Sequence, residues 1–326
     1  VRATGSGVSG PGILNDGTIE GAAVELKAHG NHYALAINNK GSIRATGAVH
    51  SGGRVLLRGT GGSVANSGSI HATSSGAGDA SILIEAAYAK VDGELRAERL
   101  SGGAGTASVK IAASEAAEIG ATVRAHSVGS IGGTVEVESE HIAVAADSLI
   151  DASGSLGGGS VRIGGGFQGN DPAFANARSV EMSDGATIRA DALDSGDGGT
   201  VVLWSDGDTA FHGDITATGR GDGRGGLVEI SGKEGLLVDG TVSTLAENGA
   251  NGHLLLDPKN LTISSSASSA TNINTSTLQS LVGSNHVVIS TFDEVAADAG
   301  HISVLNSVRY TSDNSLTLLA EGNLYI

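Results

Sequence analysis

The stretch ATGRGDGRGGLVEISG, residues 217–232, holds the tripeptide Arg220-Gly221-Asp222, a cation and a carboxylate flanking glycine. Such a tripeptide on an exposed loop can act as a ligand for a cell-surface receptor. Comparable slots elsewhere in the chain read TGAVHSGG, SGSLGGG and LDSGDGG. The position therefore demands a polar, glycine-rich corner, where glycine reaches positive φ without strain. The tripeptide meets that demand as a turn, and receptor contact stands as the alternative because such corners protrude.

Other residues could do chemistry. Arg44, Arg96, Arg124 and Arg189, with His71 and Asp151 between them, recur at one position of a repeat. Stacked in register they form a basic stripe, and like charges at that spacing cost energy unless paired. The stripe either holds an anionic or hydroxyl-rich glycan or is neutralised by flanking Asp and Glu columns. A neighbouring column, Lys110, Glu136 and Arg162, alternates in sign and reads as a ladder of weak ion pairs. Asp191, Asp194, Asp197, Asp206 and Asp208 sit in glycine-rich turns. Carboxylates there can hold calcium, but no β-roll nonapeptide spacing or EF-hand loop is present, so they read as solvated turn acids.

Residues 164–179, GGGFQGNDPAFANARS, carry Phe167 and Phe174, which either plug the side of the fold or offer an apolar contact to a partner. Glycoside cleavage needs two carboxylates at a defined separation in a cleft. Asp151 with Asp191, or Asp206 with Asp208, would have to serve almost without aromatic platforms, since aromatics are 3% of the chain. Trp204 stands alone and is expected to lie on the surface. The ten His are scattered with no HExxH, and neither a P-loop nor a nucleophile elbow occurs. No catalytic residue, metal site or cofactor is expected; a polysaccharide lyase or hydrolase remains the alternative function.

Composition limits what can position these residues. The 326 residues include 52 Gly, 3 Pro and no Cys, and 39% are apolar. That is too hydrophobic for a disordered chain, and it suits short stacked strands joined by tight turns. A net charge of −16 argues against nucleic acid as a partner. The lack of Cys excludes a disulfide framework, and no apolar run approaches the ~20 residues of a membrane span. The chain starts at Val1 without a signal-peptide pattern, so it is expected to be an interior segment of a longer protein.

The main signal is a repeat. An apolar-x-Ala/Thr unit begins at Ile43, Ile70, Leu95, Val123, Ile150, Ile188, Ile215 and Val242. A second apolar-x-apolar unit begins at Val55, Ile82, Val109, Val135, Val161, Val201, Val228 and Leu254. Both tracks advance by about 27 residues, and both lengthen across residues 164–179. A third apolar stretch completes each period. Such a unit cannot bury its own apolar face, but stacked copies can. The expected fold is all-β: a right-handed parallel β-helix of eleven or twelve rungs, about 50 Å long at ~4.8 Å per rung. Residues 1–263 are read as rungs with the 164–179 insertion, 264–284 as a polar irregular stretch and 285–326 as further rungs of the same rod. No stretch reads as a helix.

The segments YALAINNKGSIRATG, GGGSVRIGGGFQG, IRADALDSGDGGTVVLWSDGDTAFHGDI, GGLVEISG, GHLLLDPKNLTIS and SLTLLAEGNLYI resemble exoproteins of two-partner secretion systems. These are the filamentous-haemagglutinin-like adhesins, including large biofilm-matrix adhesins of the CdrA type. The resemblance covers nearly the whole chain. It implies a secreted rod on a Gram-negative cell surface, an outer-membrane transporter as export partner, and attachment to extracellular polysaccharide or to a host or bacterial surface. The family's N-terminal Asn-Pro-Asn-type motif is absent; Val1 to about Gly30 would be the tail of the secretion domain or the rod just beyond it. A chain that crosses a pore unfolded gains nothing from crosslinks, which fits the absence of Cys.

Overall fold

The computed structural model describes residues 11–29, 35–47, 52–101, 105–291 and 300–326. Residues 1–10 and 30 of the expected secretion-domain tail, and 48–51 of the first corner, lie outside them. The chain winds into a right-handed parallel β-helix of about eleven turns. Among the described residues its strands form sheets of sixteen, nine and four, and the strands pair in parallel.

Register matches the repeat residue for residue. Val55, Ile82, Val109, Val135, Val161, Val201, Val228 and Leu254 pair in succession, and Val287 and Leu316 extend the column. Ile43 through Val242 form the second column, with Ile19 before them. Alternation points Ile43 and Ala45 inward and Arg44 outward. Each buried aliphatic contributes about 1.5–3 kcal/mol, against about 0–1 kcal/mol for an exposed ion pair. The internal ladder therefore holds the rungs together. At the N-terminal end a third inward column is polar: Asn15 donates to Asn39 (2.7 Å) and Asn39 to Asn66 (2.6 Å), before Val91 and Ile119 take over.

Glycine serves the corners for a reason other than flexibility. Gly159, Gly199, Gly226 and Gly252 stack, and each donates its N–H to the carbonyl that ends the Ala/Thr unit, as Gly199 does to Ala190 (2.7 Å). A Cβ on Gly199 would overlap the carbonyl oxygen of Gly159 one rung below. Close approach of backbones, more than positive φ, excludes side chains here.

The stretch 264–284 departs from expectation. It contains a strand, Asn272–Asn274, and a helix, Thr275–Ser284. Asn274 caps the helix by accepting from the Ser276 N–H (2.8 Å), and Leu278, Leu281 and Val282 are buried. Their i, i+3, i+4 spacing is the helical signal, masked by a run of Ser and Thr with poor helix propensity. The helix packs on Thr241–Ser243, the last strand of the nine-stranded sheet. Asn285 ties the two together: its Nδ2 donates to Val242 O (2.8 Å) and Leu281 O (2.7 Å). Beyond the helix, His286–Ser290 rejoins the large sheet between His253–Pro258 and Leu316–Leu319.

Candidate functional site: the flank beside the insertion

On the large sheet, strands such as Arg54–Asn66 and Ala107–Ile119 turn a corner in mid-course, with register shifts at Gly59/Ser63 and Ala113/Ala116. The insertion leaves the rod at this corner, between Ser160–Ile163 and Ala177–Met182. It folds back over the outer face of Thr200–Phe211, so Val202 and Trp204, which alternation directs outward, are buried. Trp204 is thus covered, contrary to the expectation of a surface ring. Its indole lies against the backbone of Gly165 and Gly169, where any Cβ would strike it, and donates to Asp206 (3.2 Å). This explains the GGGFQG run.

Glu229 shares that buried face, fully shielded from solvent. Its carboxylate accepts from the Gln168 N–H (2.9 and 3.2 Å) and the Ser231 hydroxyl (2.9 Å). Gln168 adopts the left-handed region, φ 54°, rare for a non-glycine residue. Burial pushes the Glu229 carboxyl up to about 7, with the nearby Asp257 charge adding to the effect and the two donors opposing it.

Farther along, the Lys110, Glu136, Arg162 column forms the expected ladder. Lys110 lies 3.6 Å from Glu136, Arg162 pairs with Glu136, and Arg162 also bonds Asp171 of the insertion (2.6 Å). The Ala173 N–H and then Arg162 hold the Asp171 carboxyl below its usual range. Phe174, 3% exposed, sits under two cations, 4.9 Å from the Arg162 guanidinium and 5.7 Å from the Lys110 ammonium. It is part of the rod's own packing, whereas Phe167 is 43% exposed.

Beside the insertion the corner opens into a groove of about 780 Å³. Its floor includes Ala86, Ala112 and Ala113; Arg58 pairs with Glu85 on one wall, and Glu138, Ser139 and Asn176 close the far end.

The remaining candidates lie elsewhere. Arg44, His71, Arg96, Arg124, Asp151 and Arg189 stack in one column, as their spacing requires. The stripe is largely neutralised. Arg124 bonds Asp151 (3.1 Å), Arg96 lies 3.2 Å from Glu98 and 3.6 Å from Glu94, and His71 meets Glu94 (2.8 Å). The His71 contact, with Arg96 and Arg124 behind it, lowers the Glu94 carboxyl below its ordinary value. Arg44 and Arg189 are exposed and make no ion pair among the described residues, but four rungs lie between them and keep them out of each other's reach. A part-exposed pair such as Arg124–Asp151 contributes little. Arg124→Ala is expected to lower stability by less than about 1 kcal/mol in a urea melt.

Arg220 and Asp222 are exposed on a tight turn, with Gly223 N–H donating to Arg220 O (3.1 Å) and Gly221 at φ +60°. Gly221 N–H donates to Glu247 (2.9 Å) on the next rung. The turn acids staple rungs: Asp191 accepts from Thr216 (2.7 Å) and Thr218 (2.8 Å), Asp197 from the Arg224 N–H (2.7 Å). Among the described residues no group of three His, Asp or Glu is placed to hold a metal ion, and no helix is long and apolar enough to cross a membrane.

The sequence reading missed Arg162, Trp204 and Glu229 as a unit with the insertion. The available signal was coincidence: Val202, Trp204 and Glu229 fall on outward positions of rungs directly after the lengthened period.

No protein-family model matches the chain, and no curated protein matches it. Among solved structures, the crystal structure of the HMW1 secretion domain from Haemophilus influenzae is similar, with 22% identity and a TM-score of 0.52. The similarity covers 68% of this chain and 64% of that one. At that identity the likeness concerns the fold.

Proposed function

We propose that this chain is part of a secreted adhesin rod at the surface of a Gram-negative bacterium. An outer-membrane two-partner secretion transporter delivers it, and it attaches cells to one another, to matrix or to a host by binding extracellular polysaccharide. The observation that carries the reading is the unbroken rod. Two aliphatic columns run through rung after rung, while outward columns carry ladders of paired charges. Such an object spaces surfaces apart and displays side chains along its length. Its fold resembles that of a secretion domain, and the absence of Cys suits passage through a pore unfolded.

Beads coated with the purified chain are expected to adhere to cells of a matrix-producing Gram-negative bacterium and to lose adhesion when the cells are treated with periodate, which destroys sugar diols. Beads that never adhere would overturn the reading. So would extracellular polysaccharide that elutes shorter from a sizing column after incubation with the chain.

A further inference from the structure

The corner that follows the Ala/Thr units carries a feature that neither the ladders nor the insertion uses. Leu100, Val128, Ile131, Leu156 and Leu193 stand out from it, each 45–60% exposed. They occupy four successive rungs, those of strands Glu94–Arg99, Thr122–Ser127, Leu149–Asp151 and Thr187–Arg189, which pair in that order. Hydrogen bonds carry the register into the corner: Val128 N–H donates to Arg99 O (3.0 Å), Leu156 N–H to Ser130 O (3.0 Å) and Leu193 N–H to Gly154 O (2.9 Å). The five side chains form one apolar ridge along the rod, about 15 Å from first rung to last at ~4.8 Å per rung. Among the described residues no other flank exposes large apolar side chains on four successive rungs. Single exposed aliphatics are ordinary, but contiguous ones mark a contact surface.

The backbone beneath the ridge is spent on bonds between rungs, so an extended peptide would find no edge to join. The occupant must bring a packed apolar surface of its own. Charge says which. Residues 100–106, 127–133 and 154–159 include no Asp, Glu, Lys or Arg, on a chain of net charge −16. Copies of so acidic a chain repel one another in general, but here three successive corners let them meet without like charges between them. An anionic membrane surface would repel the chain as a whole.

The corners at the two ends of the ridge differ in sign and set the orientation. One rung before Leu100 lies Asp79, which accepts from the Thr106 N–H (2.7 Å) and keeps its charge. One rung after Leu193 lie Arg220 and Arg224, with Asp222 between them, a corner of net positive charge. Both arginines are exposed and make no ion pair among the described residues. A second copy related by a twofold axis across the rods runs antiparallel to the first. It sets Leu100 against the partner's Leu193, and Val128 and Ile131 against the partner's Leu156. It also brings Asp79 level with the partner's Arg224. Such a contact uses one surface on both copies and closes on itself. A parallel pair would instead set Asp79 level with Asp79 and Arg224 level with Arg224.

We infer that this ridge is where two copies of the chain pack side by side and antiparallel. The inference goes beyond the reading of the chain as a polysaccharide-binding rod and does not depend on it. Four rungs of one corner fall short of the ~1,000 Å² that a stable interface buries, so the pair forms where many copies are held close together.

Sedimentation equilibrium of the chain is expected to show dimers with a dissociation constant between about 10 μM and 1 mM. Ile131→Glu and Leu156→Glu, both at exposed corner positions, are each expected to raise it tenfold or more with the melting temperature unchanged. Phe167→Glu, on the insertion, should leave it unchanged. Because the chain has no Cys, single introduced cysteines report the orientation. When Leu100→Cys and Leu193→Cys chains are mixed and mildly oxidised, they should crosslink to each other faster than either crosslinks to itself. A chain that stays monomeric at about 1 mM overturns the inference, and if it also floats with phosphatidylcholine vesicles the ridge belongs to lipid. Ile131→Glu chains that dimerise like wild type would place the contact elsewhere on the rod, and crosslinks of each variant mainly to itself would refute the antiparallel pair.

Discussion

Gly199→Ala is expected to destabilise the rod by about 3 kcal/mol, at the upper end of what overpacking a rigid site costs. Gly199 stands in the stack that runs through Gly159, Gly226 and Gly252, and its missing side chain is what lets one corner rest on the next. An added methyl meets the Gly159 carbonyl oxygen, which is backbone and cannot swing aside. Relief requires Gly199 to move away, lengthening its bond to Ala190 O (2.7 Å) and the bond of Thr200 N–H to Gly159 O (2.9 Å). Both pin the corner to the stack. Solenoid stability is a sum of rung and interface terms, so the loss falls on the interface between these two rungs. Hydrogen exchange should therefore show faster opening of Ser160–Ile163 and Thr200–Phe211 while distant rungs stay protected. Gly283→Ala is the control: nothing lies within 4 Å of its added Cβ, and the helix it joins should gain up to about 0.5 kcal/mol. Equal effects for the two substitutions would refute the close-approach account of the corner glycines.

The second large effect is on pH. Glu229 has its carboxyl raised from 4.5 to about 7, first by burial under the insertion and then by the Asp257 charge, against the donors Gln168 N–H and Ser231 Oγ. A carboxyl that binds its proton more tightly folded than unfolded stabilises the fold below the unfolded value, and that contribution is lost as pH rises through the folded value. The wild-type chain is therefore expected to lose stability between about pH 4.5 and pH 7, by up to about 3 kcal/mol over the 2.5-unit difference. Glu229→Gln keeps an acceptor for the Gln168 N–H and removes the ionisation. Urea melts of the variant at pH 5, 6, 7 and 8 should lack this fall and show a chain more stable than wild type at pH 8. Parallel wild-type and variant curves across that range would show that Glu229 does not carry the dependence.

The fold was legible because a β-helix writes its period into the chain. Val55 and Ile82, or Ile43 and Ile70, pair because each rung must place an aliphatic directly over the last, and that demand recurs at every turn. The helix Thr275–Ser284 was not legible: it occurs once, so no repeat reports it, and Leu278, Leu281 and Val282 are diluted by polar residues that propensity assigns to loops. The candidate site was half legible. Lengthening of both tracks located the insertion, and Phe174 was picked from it. That Phe174 would be spent on Lys110 and Arg162, and that Trp204 and Glu229 would be buried beneath the loop, required knowing which way the insertion folds. The arginine column was placed correctly by its spacing, yet the partners that neutralise it, Glu94 and Glu98 above all, lie beside it on the same or adjacent rungs.

What the sequence by itself determined is everything periodic: the rung length, the two inward columns, the outward position of Arg44 and its successors, and the corners that must be glycine-rich. Local chemistry repeated at a constant interval dictates these, since every copy faces the same neighbours. What only the tertiary structure decided is aperiodic. The insertion covers Trp204 and Glu229, and the groove forms where the strands bend. The Ser139 hydroxyl and the Asn176 Oδ1, on residues 37 positions apart, are left there without a hydrogen bond. Such features arise from contacts between segments whose sequence separation follows no rule, so no pattern in the chain can announce them.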